Sequence, residues 1–370
     1  MLKATSETWI QRMLEQLGDR VVLVAAGDTG GARHTDFGQP VFELNRFQRG
    51  RALAAKVGIP SVGYRLPELR KEIARLEVDT ALIHYGPTGL LLEPLLGPDL
   101  NAWVHFHGYD AMFDMRRAEP PHERVHTADY QAKIVQLAKR AGFIANSEFT
   151  ASVLRGAGTP PSRVRVKTLG VPVININREP RSGPIMIAAV GRMIDCKGPD
   201  FTVRAFIRAC ELGLQGSLTI VGSGPMLAEC ERLATASTVA DRIHLVGSVP
   251  NQQVQALLAE ADVFTQHNLV GPKTGQIEAF GVSVLEGMAA AMATVTTTNG
   301  GVNEIVLADE TTLVFPEGDV ESQARAFLLL EQDPELRHRL GVAGQRRARE
   351  SFSLEQEGEK LLDILSQKPQ

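Results

Sequence analysis

Only three of the 370 residues are cysteine: Cys196, Cys210 and Cys230. Their number is odd and no CxxC spacing joins them. This leaves neither a disulfide framework nor a zinc ribbon, and reduced thiols in a cytosolic protein are expected. A charge bias is missing too. The 39 Lys and Arg nearly balance 43 Asp and Glu, for a net charge of -4, so nothing draws the chain generally to nucleic acid. The opening MLKATSETWIQRMLEQLGDR has no signal-peptide core, and no window reaches membrane-spanning length. A soluble, cytoplasmic chain is expected.

Several catalytic signatures are absent. There is no GxxxxGK[ST] phosphate loop and no HExxH helix, and GxSxG fails because Gly281-Val282-Ser283-Val284 continues with Leu285. A dinucleotide fingerprint fails twice. GSGPML (222–227) has Leu227 where glycine is needed, and GDTGGA (27–32) has the wrong spacing, which disfavours a nicotinamide dehydrogenase. No two aspartates are separated by one residue, so the DxD pair of many metal-dependent sugar transferases is missing.

What is present is a repeated α/β pattern. The length, with 44% hydrophobic and 22% charged residues, points to two domains. Buried strands are predicted at 21–26, 80–85, 101–107 and 142–147, with helices over 41–57 and 127–141. The second half restarts the pattern with strands at 185–191, 217–222, 242–247, 262–267 and 293–298. The division expected is a domain over 1–175, a linker over 176–184 and a second domain over 185–352. A last helix over 353–370 opens on the N-cap candidate Ser353. In such sheets ligands bind at the carboxyl ends of strands.

Charged residues collect at those ends. After the strand ending near Gly191, the loop holds Arg192 and Lys197, and Pro199 suits the first turn of the following helix. Two cations beside a helix N-terminus form an anion site, or else a pair of solvated charges. The stretch EAFGVSVLE (278–286) spaces two carboxylates eight residues apart. As one helix they would lie about 12 Å apart along the axis and about 80° apart around it, so they cannot meet at one point. A loop that turns at Gly281 into a helix near Ser283 resolves this. Glu278 in the loop and Glu286 in the first helical turn would hold sugar hydroxyls at two ends of a ligand. Arg192, Lys197 and the amides between would take a diphosphate. Taken singly, Glu286 also reads as a helix-dipole partner and Glu278 as an exposed loop charge.

At this point the second half resembles glycosyltransferase family 4, retaining enzymes of the GT-B fold. The resemblance rests on VGRMIDCKG (190–198), TIVGSGP (219–225), RIHLVGSVP (242–250), the Glu278/Glu286 stretch with its Phe280-Gly281, and GGVNEIV (300–306), over about residues 185–355. SFSLEQ (351–356) resembles the lead into a helix that crosses back to the first domain. The resemblance implies a GT-B fold, with two Rossmann-like domains facing each other across a cleft. It also implies a retaining hexosyltransferase using a UDP- or GDP-sugar, without metal or other cofactor. Arg192 and Lys197 would bind the donor diphosphate, Glu278 the donor sugar, Glu286 the ribose, and the amides around Phe280, Gly281 and Val282 the phosphates. The family's usual glycine and proline are replaced by Ala291 and Ala293, which puts the local backbone in doubt more than the chemistry.

In the first half WVHFHGYD (103–110) resembles transferases of exopolysaccharide assembly. His107 matches the histidine placed over the donor sugar, with a buried structural histidine as the alternative. His105 is expected on the opposite face, His84 toward the cleft, and Asn146-Ser147 as a further lining. Gly30 and Gly31 resemble the glycine loop near the donor phosphates. Residues 46–75 hold eight Lys or Arg against Glu68 and Glu72. They form either a peripheral contact for anionic membrane or a lipid diphosphate acceptor, or a solvated helix face. The acceptor implied is a saccharide or lipid-linked saccharide. The rival activities are a nucleotide-sugar epimerase on the same fold and a non-catalytic nucleotide-sugar binding protein.

Overall fold

The computed structural model describes residues 8–27, 32–45, 64–173, 176 and 178–369. Strand pairing is parallel throughout the named sheets. In the first half β1 (Val24–Ala26) pairs with β2 (Val41–Glu43). Then β3 (Thr80–His84), β4 (Asn101–Phe106), β5 (Gly142–Ala145) and β6 (Val164–Val166) form one four-stranded sheet in that order. The expected helix over 41–57 therefore begins as a strand. Val41 and Phe42 have high strand propensity, and pairing with β1 overrides the helical spacing of their apolar neighbours. Residues 46–63 of that stretch lie outside the described residues.

The second half forms a six-stranded sheet from β7 (Met186–Val190), β8 (Ser217–Val221), β9 (Ile243–Gly247), β10 (Val263–Gln266), β11 (Ala293–Thr296) and β12 (Thr312–Val314). Their spatial order is β12-β11-β10-β7-β8-β9. The chain leaves β7 toward one edge and returns at β10 to build toward the other, so the order reverses between these two strands. Such a reversal opens a crevice at their carboxyl ends, where doubly wound sheets hold ligands. The central strands β10 and β11 are short and wholly buried, as a sheet covered on both faces requires, while the edge strand β9 alternates buried or half-buried and exposed residues.

The last helix, Leu354–Ser366, opens with the expected Ser353 cap, completed as a capping box by Gln356. It crosses onto the first half. Asn101 Nδ2 donates to Leu365 O at 2.6 Å and Gln16 Nε2 to Leu354 O at 2.7 Å. Lys167, its side chain fully buried, pairs with Glu357, whose other oxygen accepts from Gly170 N at 2.9 Å. Residues 178–184, between the sheets, are fastened to the second half. Arg178 donates to Ala290 O and Leu258 O, and Arg181 pairs with Asp262.

Candidate functional site

The crevice between β7 and β10 collects the charged residues. The loop after β7 carries Arg192, exposed, and Lys197 in a short 3₁₀ turn before helix Pro199–Glu211, with Pro199 at its first position. Lys197 pairs with the Glu278 carboxylate and donates to Gln266 Oε1 at 3.0 Å from the end of β10. Gln266 in turn donates to Val190 O and to Ser283 Oγ, both at 3.2 Å, so one amide side chain links strand, loop and helix. Burial alone would raise the Glu278 carboxyl. The Lys197 charge and hydrogen bond, the Phe280 amide and Arg192 outweigh it and hold the group below its ordinary range. Asp195 props this arrangement, accepting from Lys273 N and Thr274 N at 2.9 Å each and from Thr274 Oγ1 at 2.8 Å.

The turn is made as expected. Gly281 has φ 98° and caps helix Val282–Ala289. Two details differ from the sequence reading. Glu286 sits in the second helical turn rather than the first, because the helix begins at Val282. The Phe280 and Gly281 amides point at the Glu278 carboxylate, at 3.3 and 3.0 Å, so the phosphate cradle assigned to them is occupied from within the loop. Glu286 meets Arg12 from the first helix (Thr8–Leu17) at 3.4 Å, and its burial raises the carboxyl against the opposing pull of Arg12. The Phe280 ring is buried against Phe352, so it contributes backbone to the site. GGVNEIV acts behind the loop. Gly301 N donates to Glu278 O at 2.9 Å, and a Cβ on Gly300 would stand 2.1 Å from that oxygen.

The opposite wall is made by the ends of β3, β4 and β5. Gly108 lies so close to the Glu278 loop that a Cβ on it would stand 2.7 Å from Ala279 Cβ, and Ser147 Oγ donates to Ala279 O at 2.6 Å. Glu304 reaches across and accepts from Glu148 N and Phe149 N at 2.8 and 2.7 Å. His107, Gly108 and Glu278 thus belong to two loops that touch. Asp110 fixes the first of these loops, accepting from the amides of Gly86, His107 and Gly108 at 2.9 to 3.0 Å. Burial raises its carboxyl to about 6 despite those bonds.

His105 does not alternate away from His107. Residues two apart share a strand face, and the two rings lie 4.1 Å apart by centroid. His84 is the register partner of His105 and joins the same face, its Nδ1 3.2 Å from His107 Nε2. Trp9 stacks over His107 at 3.9 Å. All three imidazoles are pushed well down, His84 to about 3, by burial first and then by nearby positive charge that includes Lys167.

Gly30 and Gly31 lie outside the described residues, as do Arg46, Arg49, Arg51 and Lys56. The rest of the basic stretch falls on or beside helix Leu66–Arg75, where Arg70 donates to Pro94 O and Arg75 pairs with Glu72. No described helix is long and apolar enough to cross a membrane. The three cysteines are unpaired, and burial pushes the Cys196 and Cys230 thiols up to about 12. Ser147 lines the site as expected, whereas Gln266, Asp110 and Glu304 were given no role there by the sequence. Their one common signal is a polar residue at, or just after, the carboxyl end of a strand or at a helix opening.

Residues 173–347 match the family model described as glycosyl transferases group 1. The chain is 28% identical over 265 residues to a protein of Escherichia coli (strain K12) that carries the provisional name colanic acid biosynthesis glycosyltransferase WcaL. That alignment covers 69% of this chain and 63% of the relative. It is 25% identical over 300 residues to the amylovoran biosynthesis glycosyltransferase AmsK of Erwinia amylovora, covering 78% and 69%. The chain therefore spans somewhat less than two thirds of WcaL's length. Among solved structures, Anabaena HepE in complex with UDP superposes with a TM-score of 0.76 at 16% identity, covering 99% of this chain and 97% of that one. The sucrose-phosphate synthase of Thermosynechococcus elongatus gives 0.74 at 18% identity, covering 96% and 92%. The fold is GT-B, as the resemblance implied.

Proposed function

We propose that this chain, whose second half is a group 1 glycosyltransferase domain, moves a sugar from a nucleotide diphosphate donor to an acceptor hydroxyl with retention of the anomeric configuration. The acceptor belongs to polysaccharide or glycolipid assembly, the setting in which WcaL and AmsK are named. The observation that carries the reading is the Lys197–Glu278 pair, held by Gln266 in the β7/β10 crevice and facing the His107-Gly108 loop. A diphosphate entering beside Arg192 takes Lys197 as partner and releases Glu278 to accept from sugar hydroxyls. Negative charge developing on the departing diphosphate is stabilised by both cations and by the N-terminus of helix Val282–Ala289. These groups neutralise the diphosphate without a DxD pair, so no metal is assigned to it. Glu286, released from Arg12, takes the ribose, and His107 lies over the donor sugar.

A thermal-shift screen against UDP- and GDP-sugars tests the reading, because a ligand that binds only the folded chain raises its stability by mass action. A shift with one donor, abolished in Lys197→Ala, is expected. Equal shifts in the variant and the native chain would remove Lys197 from the donor site.

A further inference from the structure

We propose that His84, His105 and His107 form a binding site for one divalent cation of the zinc class. The argument starts from strand geometry; it shares His107 with the sugar-transfer reading, but its metal-binding readout is independent of sugar transfer. His84 and His105 are register partners on neighbouring parallel strands, and His107 is two residues beyond His105. All three side chains therefore emerge on one face at the carboxyl ends of β3 and β4. One nitrogen from each ring can be chosen so that all three lie within 4.8 Å of one another. Zinc takes imidazole nitrogen at about 2.1 Å, and a tetrahedral pair of such ligands stands about 3.4 Å apart. The His84 Nδ1 to His107 Nε2 separation of 3.2 Å already matches that value. Closing a pair of nitrogens from 4.8 Å to that spacing takes about 1.4 Å.

The second observation is a hydrogen-bonding deficit. His105 is fully buried, and among the described residues neither of its ring nitrogens has a partner. A buried polar atom without a partner costs about 1–3 kcal/mol, so a folded protein that keeps one is normally supplying it with water or an ion. Three imidazoles with no carboxylate in the ligand set suit zinc, copper or nickel rather than magnesium or calcium. Trp9 covers the cluster and Tyr85 lies against His107 at 4.8 Å, giving the apolar surround typical of such a centre. The Lys167 charge acts on the rings, but the ammonium is paired with Glu357. Three protein ligands leave a fourth position for solvent.

Equilibrium dialysis of the full chain against zinc, with the bound metal quantified, is the direct test. The expected result is about one equivalent per chain, weakened roughly a hundredfold or more in His105→Phe. Six other histidines offer adventitious ligands, so the difference between the native chain and the variant is the measurement. Because His105 has no hydrogen-bond partner to lose, phenylalanine leaves the fold in place, which a circular dichroism melt verifies. A second readout is optical. Cobalt(II) bound at the cluster gives tetrahedral visible absorption and quenches Trp9, one of only two tryptophans in the chain. A native chain that retains no metal, or a folded His105→Phe that binds zinc as the native chain does, overturns the proposal.

Discussion

The two walls of the crevice are built from the same geometric element, the carboxyl ends of parallel strands, yet they treat polarity in opposite ways. On the second-half wall every buried charge is answered. Lys197 is matched by Glu278, Glu278 also accepts two amides, and Gln266 ties the group to β7 and to the helix that follows. On the first-half wall Asp110 accepts three amides and Ser147 donates across the crevice, but the imidazoles beside them are not met: among the described residues two of the three rings carry nitrogens with no partner. A compensated wall is already stable and exchanges partners when a charged ligand arrives. An uncompensated wall holds an open demand, which a ligand satisfies without displacing anything. On the two proposals above, the first arrangement would select for charge and the second for electron-pair acceptors and donors of hydrogen bonds.

Five variants sharpen this contrast. The largest effect is expected where the first half contains a buried charge. Lys167→Met leaves Glu357 buried and unpaired and should destabilise the chain by about 3–5 kcal/mol in a denaturant melt. Adding Glu357→Leu should restore most of that loss, because the pair can be replaced by apolar packing. A double variant no more stable than the single one would show that Glu357 has another role. Next, Lys197→Ala should lower kcat/KM with the cognate donor by about 10²–10³, or about 3–4 kcal/mol, in steady-state kinetics. A loss below fivefold would mean that Arg192 and the helix terminus suffice. On the opposite wall, His105→Phe in metal-free buffer should change stability upward, by about 1 kcal/mol, since it removes two unmet nitrogens at little change in shape. A marked destabilisation would contradict the absence of a partner. The smallest effect concerns backbone: Ala291 has φ 55°, a left-handed value that glycine adopts freely. Ala291→Gly should stabilise by about 1 kcal/mol in the same melt.

That last residue shows how much could be read from the chain. The resemblance marked 291 as a place where glycine is usual, and the structure supplies the reason: the turn from helix Val282–Ala289 into β11 needs positive φ. The second half was legible because buried parallel strands are short apolar runs bounded by turn residues, and the residues after them fall at the crevice by topology alone. The first half was less so. Residues 41–43 carry a helical spacing that pairing with β1 overrides. The face of His105 was misread although the two-residue strand period determines it. Contacts between the halves, such as Arg12–Glu286 and Glu304 with the amides of 148 and 149, join positions more than a hundred residues apart. No local pattern encodes such pairs.

The same long separation has a consequence for how the chain comes into being. Lys167 is charged, wholly enclosed in the first half, and answered by a residue 190 positions later. A ribosome adding about 5–20 residues per second reaches that residue roughly ten to forty seconds after Lys167. For that interval the first half can form its four-stranded sheet but cannot close over the lysine without leaving the ammonium unpaired. Its final compaction therefore waits on the second half, and the crossing helix acts as a signal that synthesis has passed the six-stranded sheet.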